Sequence, residues 1–325
     1  MQEKNNNSGA KPSSLPAFFS KPFDWPRARW AAIGGVRRGI ALVSAGSLTL
    51  VLMAVLVKHL GERIPAMEIF FFRSLIGFFL VIAVCWRDPF EALRTKRPGM
   101  HFVRGATGAL GNACFFWTLT NLLLADAMAL QFSRPLFMIP LAMFFLGEIV
   151  GWHRIGVAMV GFFGILVYAR PFTAGFEPGA FVGALGAFTG GLVVICIKRL
   201  QTTEPTRVIM FYYAFWNALI AAVPAAIWWV TPNAYEFGIL AIIGVLGIGG
   251  QALITHGLSQ GDATVLVPLD YSRIVYSAIL GYLLFNEVPG PWSFAGMAVI
   301  VACSLYLVLT EKRRAAVPLN GNGSA

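Results

Sequence analysis

Charge is what this sequence is shortest of. Only 12% of its 325 residues are Asp, Glu, Lys or Arg, about half of the roughly 25% found in an ordinary soluble domain. The shortfall is segregated, because long apolar runs alternate with short polar joints. That pattern excludes a soluble enzyme and a disordered chain, and it leaves a membrane protein. Acidic residues are scarcer than basic ones, 15 against 25, for a formal charge of +10. The excess does not indicate a nucleic-acid partner, because it sits beside the apolar runs. Seven Lys and Arg precede residue 39, four cluster at Arg87, Arg94, Lys96 and Arg97, and three stand at Lys312, Arg313 and Arg314. Such clusters hold loops on the cytoplasmic side. Cysteine is scarce too. Cys85, Cys114, Cys196 and Cys303 each lie inside an apolar run without CxxC spacing, so no disulfide, metal or other cofactor site is expected. None of the four histidines belongs to an HExxH helix, and there is no GxxxxGK[ST] loop, which argues against a zinc protease and an ATP-driven pump.

What is present is a series of apolar runs of membrane-crossing length. Ten are legible, at about 39–58, 66–86, 102–121, 125–146, 152–169, 179–198, 208–230, 236–257, 262–285 and 291–310. Lipid leaves no water for the unpaired edge of an open sheet, so these runs are expected to be helices. Residues 1–38 and 311–325 are expected to be cytoplasmic tails, the first of them disordered. The first apolar run begins too late for a signal peptide. With the amino terminus inside, the inner segments carry 18 Lys and Arg and the outer joints 3. The bias places both termini in the cytoplasm of a multi-pass inner-membrane protein.

The chain also repeats itself. Leu124-Ala125-Asp126-Ala127 resembles Gln260-Gly261-Asp262-Ala263, and Arg134 precedes Glu148 by the same 14 residues that separate Arg273 from Glu287. A Trp and a Gly follow each Glu: Trp152 with Gly156, and Trp292 with Gly296. Repeats of five helices each must run in opposite directions, and an inverted pair encloses a site near the bilayer midplane. The Ala-Asp-Ala or Gly-Asp-Ala entry, the proline-bearing helix and the Leu146-Gly147-Glu148 or Phe285-Asn286-Glu287 exit resemble the drug/metabolite transporter superfamily, EamA type. The likeness runs over about residues 39–310, and its clearest stretch is Ser133-Arg134-Pro135-Leu136 through Glu148. It implies an all-α integral membrane fold of ten transmembrane helices in two inverted five-helix repeats, residues 39–171 and 172–310, with a cavity between them. Asn286, standing where the first copy has Gly147, departs from that symmetry.

Ionisable residues inside a membrane cost about 2.5–3.5 kcal/mol each at a helix centre, so those that persist face a cavity or a partner. Arg134 and Arg273 fall mid-span at equivalent places, with Gln131 and Asp270 three residues before them on the same face. Asp270 neutralises Arg273 on one reading, whereas Arg134 has no acid within four residues and needs a partner from elsewhere, a substrate anion included. Arg73 is deep in the second span, and a contact to Asp270 or Glu68 would make it a gate; Glu68 is expected near the outer interface and solvated. Arg104 is expected to snorkel to lipid headgroups. Trp117 and Tyr271 are the aromatic candidates for the cavity, though Tyr271 cannot share a helical face with both Asp270 and Arg273. Pro135, Pro140 and Pro268 interrupt the helical ladder near these charges. Glu148 and Glu287 close the fourth and ninth spans, as ties for a turn or as proton carriers. Gly105, Gly108 and Gly111, with Gly179, Gly183, Gly186 and Gly190 and with Gly244 and Gly247, have the spacing of close helix packing.

These features give a secondary transporter that moves a small organic metabolite by alternating access, not an enzyme, with no catalytic residue. Its expected partners are the metabolite and membrane lipid, with a homodimer left open and no nucleic acid. The arginines point to an anionic or zwitterionic substrate, and the family resemblance implies amino acids, nucleoside-like compounds such as S-adenosylmethionine, or vitamins such as riboflavin. An intramembrane enzyme and a channel are the alternatives; neither a convergent catalytic base nor a filter loop supports them.

Overall fold

The computed structural model describes residues 35–85, 95–147, 150–171, 173–260 and 263–315. Among the described residues the regular structure is helical, with no strand. In chain order the helices are α1 Gly35–Leu60, α2 Ala66–Cys85, α3 Pro98–Asn121, α4 Leu124–Gln131, α5 Arg134–Leu146, α6 Trp152–Ala169, α7 Gly179–Leu200, α8 Thr206–Ile227, α9 Ala234–Leu258, α10 Ala263–Asp270, α11 Ser272–Phe285 and α12 Pro291–Ala315. Their ends follow local chemistry. Pro98 opens α3, where a missing N–H costs nothing. Asn233 and Glu236 cap α9 reciprocally.

Eight stretches among the described residues are long and apolar enough to cross a membrane: Val36–Leu60, Ala66–Ala83, Leu124–Leu146, Trp152–Ala169, Gly179–Leu200, Val208–Ile227, Ala234–Leu258 and Pro291–Thr310. The sequence led us to expect ten. The difference lies in α3, whose apolar run is diluted by His101, Arg104, Asn112 and three threonines, and in the ninth run, which is cut at Tyr271 and whose first residues lie outside the described set. Phe144, Trp152, Phe163, Val223, Phe237 and Leu283 are exposed on the outside of the bundle, as lipid-facing side chains are.

The helices associate in pairs: α1 with α9, α3 with α7, α6 with α12, and α2 with α8. Three of these crossings are glycine to glycine. A Cβ on Gly46 would stand 2.8 Å from the Gly250 carbonyl, one on Gly111 3.4 Å from that of Gly186, and one on Gly296 2.8 Å from that of Gly164. Lipid is as apolar as leucine, so helices gain little from hiding apolar surface; close backbone contact supplies the attraction instead. An apolar cluster around Val51, Phe70, Phe116, Leu124 and Ile243 joins α1, α2, α3, α4 and α9. A second, around Leu136, Ile139, Ile165 and Ile300, joins α5, α6 and α12.

Both copies of the exit turn have the same backbone. Gly147 ends α5 at φ +66°, and Asn286 ends α11 at φ +53°. Asparagine tolerates this left-handed region better than other residues with a side chain. The apparent loss of symmetry at position 286 is therefore a change of residue without a change of conformation.

Replacing Gly46 by Ala should force α1 away from the α9 backbone and lower stability by about 1–3 kcal/mol. Gly249→Ala, where an added Cβ meets nothing within 4 Å, should leave the unfolding midpoint in detergent unchanged.

Candidate functional site

Two runs of helix are broken in the same register, at Gln131-Phe132-Ser133-Arg134 and at Asp270-Tyr271-Ser272-Arg273. The first break follows from Pro135, which has no N–H for the Gln131 carbonyl and whose ring crowds it. The chain tightens here, with Ser133 N donating to Leu130 O at 3.0 Å, and Ser133 Oγ donating to that carbonyl at 2.6 Å. At the second break Ile274 N donates to Tyr271 O at 3.0 Å, which deprives the Asp270 carbonyl of its helical donor. Arg273 Nε replaces that donor at 3.3 Å. Pro140 lies inside α5 and Pro268 inside α10, so of the three prolines only Pro135 stands at a break.

The two breaks meet. Phe132 and Tyr271 stack with ring centroids 4.3 Å apart, 29° from parallel. The Arg273 guanidinium lies 4.7 Å above the Phe132 ring and also pairs with Asp270 Oδ2. Ser47 of α1, fully buried, donates to Asp270 Oδ1 at 3.1 Å. Tyr271 reaches this cluster because it sits at the break, where the helical face rule does not apply. Asp270 and Arg273 are thus mutually compensated.

Arg134 differs. It lies within electrostatic range of Arg273 and Asp270, yet it forms no hydrogen bond or ion pair with any described residue, and its buried Nε is unpartnered. It leans on Gly190 of α7, where an added Cβ would stand 2.7 Å from Nε. Arg73 has the same arrangement. Its buried Nε is unpartnered, an added Cβ on Gly247 of α9 would come within 2.9 Å of it, and its guanidinium lies 5.7 Å from the Phe116 ring. It pairs with neither Asp270 nor Glu68. Both arginines are half-buried as whole residues, with Nε fully buried. Gln131, half-buried at the end of α4, also has no side-chain hydrogen bond.

A polar cluster adjoins them. Asn112 donates to Tyr213 Oη at 3.1 Å and to Asn217 Oδ1 at 2.9 Å. Tyr213 lies within electrostatic range of both Arg73 and Arg134. Arg104 does not snorkel. It is 6% exposed, lies 4.3 Å over the Tyr213 ring and donates to Ile209 O at 3.1 Å. Glu68 is likewise buried rather than solvated, and accepts Val230 N–H at 2.9 Å.

Trp117, one turn from the end of α3, forms no hydrogen bond or ring contact with any described residue of this cluster, and Glu287 is engaged elsewhere. Glu287 accepts Leu124 N–H at 2.7 Å and pairs with Lys58 at 2.5 Å, joining the exit turn of α11 to the end of α1 and the start of α4. Glu148 lies outside the described residues. Reading by sequence missed Ser47, Phe132, Asn112 and Asn217. Each gave a signal: three are polar residues within apolar runs, and Phe132 matches Tyr271 in a repeated aromatic-Ser-Arg triplet.

Removing one member of a buried ion pair costs about 3–5 kcal/mol, because the other charge is left alone. Asp270→Leu and Arg273→Leu should each lower the melting temperature in detergent. The double variant should recover most of the loss, giving a favourable coupling in a double-mutant cycle.

Comparison with known proteins agrees with this architecture. The model of the EamA-like transporter family matches residues 37–170 and again 177–310. The chain is 30% identical over 259 residues to an S-adenosylmethionine uptake transporter of Rickettsia felis, covering 80% of this chain and 88% of that one. It is 34% identical over 281 residues to a pseudopaline exporter of Pseudomonas aeruginosa, covering 85% and 98%. A riboflavin transporter of Brucella anthropi is 28% identical over 254 residues, covering 75% and 88%. A solved crystal structure shares the fold, with a TM-score of 0.54 at 22% identity, over 86% of this chain and 99% of its own. With two family matches spanning nearly all of the helical chain, the protein belongs to the EamA-like transporter family.

Proposed function

We propose that the chain is a secondary transporter that carries a small anionic or zwitterionic metabolite through a chamber between its two repeats. The observation that carries this reading is the pair of unpartnered guanidiniums, Arg73 and Arg134. Both belong to the first family match, and both lean on glycines of the second, Gly247 and Gly190. A guanidinium without a counter-ion in a membrane interior is a functional group awaiting one. Gln131, the Phe132–Tyr271 stack and the Asp270–Arg273 pair complete the wall.

In this reading ten helices form two inverted five-helix repeats, residues 39–171 and 172–310, with α4–α5 and α10–α11 as broken spans. The packing pairs support it: moving each span five places along turns α1 with α9 into α7 with α3, and leaves α6 with α12 and α2 with α8 as they are. Broken helices at corresponding places are where transporters of this kind bind substrate. Both termini face the cytoplasm of the inner membrane.

Alternating access requires polar ties that break on one side and form on the other. The outer end carries ion pairs between the repeats, Lys58 with Glu287 and Arg63 with Glu236, each at 2.5 Å. Ser293 donating to Asp126 at 2.7 Å adds to them. A cavity of about 330 Å³ lined by Lys58, Asp126, Tyr168, Glu177 and Trp292 opens at this end. The inner end is joined by Arg199 donating to Phe145 O at 2.5 Å and by Glu204 accepting from Lys96 N at 2.7 Å. Outward opening in this scheme breaks the ion pairs, and substrate bound between the repeats shifts the balance by its different affinity for the two states.

The test is counterflow into proteoliposomes with a panel of amino acids and their derivatives, S-adenosylmethionine and riboflavin. Arg134→Gln and Arg73→Gln should each lower saturable exchange at least about tenfold, the loss of one buried charge contact, with melting temperature kept. Gly190→Ala should cause a smaller loss by displacing the Arg134 guanidinium. Full exchange in both arginine variants, or a chemically altered product in place of exchange, would contradict the proposal.

A further inference from the structure

Asp126 is a buried acid placed where the outer cavity reaches it. It is 3% exposed, in the first turn of α4, and it lines the cavity of about 330 Å³. Its two oxygens face two neutral hydroxyls. Tyr168 Oη of α6 donates to Oδ2 at 3.0 Å, and Ser293 Oγ of α12 donates to Oδ1 at 2.7 Å. No ion pair joins Asp126 to any described residue. The cations on the same wall are held elsewhere. Lys58 of α1 pairs with Glu287 and donates to Leu122 O, both at 2.5 Å, and the Arg170 guanidinium packs against Gly175. The neighbouring acids, Glu177 in the loop after α6 and Glu287 after α11, add negative charge. A carboxylate is costly where neutral donors are all that replaces its water.

The same contacts suit the neutral acid. A hydroxyl accepts as well as donates, so a protonated Asp126 gives its O–H to one of the two hydroxyls while the other still donates to it. A proton is gained or lost there without leaving a polar group unmatched. The two hydroxyls also come from different halves of the chain. Asp126 and Tyr168 belong to the first family match, and Ser293 belongs to the second. Parting the halves at this end removes Ser293 and lets water solvate the carboxylate in its place.

We infer that Asp126 is a proton-binding site that latches the outer end: the neutral acid holds the two halves together, and loss of its proton to the outer solution frees them. The inference rests on the transport reading above and goes beyond it, because it gives the outer end a ligand of its own. The step forms or breaks one O–H bond on Asp126, and the proton passes between that oxygen and water through the cavity. Linkage sets the sign. A proton held more tightly in the closed form favours closure, so outer opening increases as external pH rises.

The experiment reads outer opening without needing the cargo. Ala125, 3% exposed and in one apolar cluster with Met297 of α12, is replaced by cysteine in a chain whose four native cysteines are serine. A membrane-impermeant maleimide is applied to the outside of oriented proteoliposomes between about pH 5 and pH 9. Ala174→Cys, exposed in the loop after α6, supplies the reagent's own pH dependence. The rate for Ala125→Cys divided by that for Ala174→Cys should rise at least about tenfold over this range, as a tenfold difference in proton affinity between the two forms requires. Asp126→Asn, which keeps a donor and an acceptor for the hydroxyls but binds no proton, should hold the ratio at its acid value throughout. Asp126→Glu should restore a rise, which a merely structural role for the side chain would not produce. His59→Gln, at the exposed outer end of α1, should leave the profile unchanged. Melting temperatures in detergent check that each variant keeps its fold. A flat ratio with Asp126 in place, a rise retained by Asp126→Asn, or a ratio held at its alkaline value in that variant would overturn the inference and leave the transporter reading standing. No labelling of Ala125→Cys at any pH would count against both.

Discussion

A charged side chain with nothing opposite it is the constraint around which the centre of this protein is built. Inserting an arginine near the middle of a membrane helix costs about 2.5–3.5 kcal/mol, and the four here differ in how far the protein relieves that cost. Arg273 is relieved within its own helix by Asp270, with Ser47 fixing the second carboxylate oxygen. Arg104 is relieved by an aromatic face and a carbonyl. Arg73 has only the Phe116 ring, 5.7 Å from its guanidinium, and Arg134 forms no hydrogen bond or ion pair with any described residue. Their guanidiniums are instead given room, by glycines that bring neighbouring backbones close without filling the space beside the charge. The unrelieved cost is the kind of local instability that a ligand removes on binding.

The broken helices and the glycine crossings serve this arrangement from opposite directions. Breaking α4 from α5 and α10 from α11 frees carbonyls that lipid cannot solvate, and each break is repaired locally, by Ser133 at one and by the Arg273 guanidinium at the other. The Phe132–Tyr271 stack then joins the two breaks, one from each family match. Away from the centre, the reciprocal glycine contacts of α1 with α9 and α3 with α7 make rigid pairs that contain one helix from each match. Rigid pairs joined through polar contacts at their ends can rock as units, which gradual deformation of a packed interior would not allow.

Much of this was legible in the sequence, and the reasons for the rest are physical. The helical runs, the doubled Arg-to-Glu spacing and the family resemblance came directly from polarity and position, because lipid permits so few ways to satisfy a backbone. The special status of Arg134 was also legible, since a lone cation lacks an acid at helical spacing. Arg104 and Glu68 were misread because depth along a span does not tell which face of the helix meets protein; both turn inward, to Tyr213 and to the Val230 backbone. Ser47 was overlooked because its partner Asp270 lies 223 residues away, a distance no local pattern spans. Asn286 looked like a departure from symmetry when compared by residue type, although its backbone repeats that of Gly147.

The most direct test of a chamber between two repeats is its accessibility from each side. Gln131→Cys, in a chain whose four native cysteines are replaced by serine, places one thiol at the first helix break. A membrane-impermeant maleimide is then applied separately to the outside and the inside of oriented proteoliposomes. The account expects labelling from both sides, slowed from both by a transported ligand. Labelling from one side alone, with or without ligand, or from neither, would contradict it.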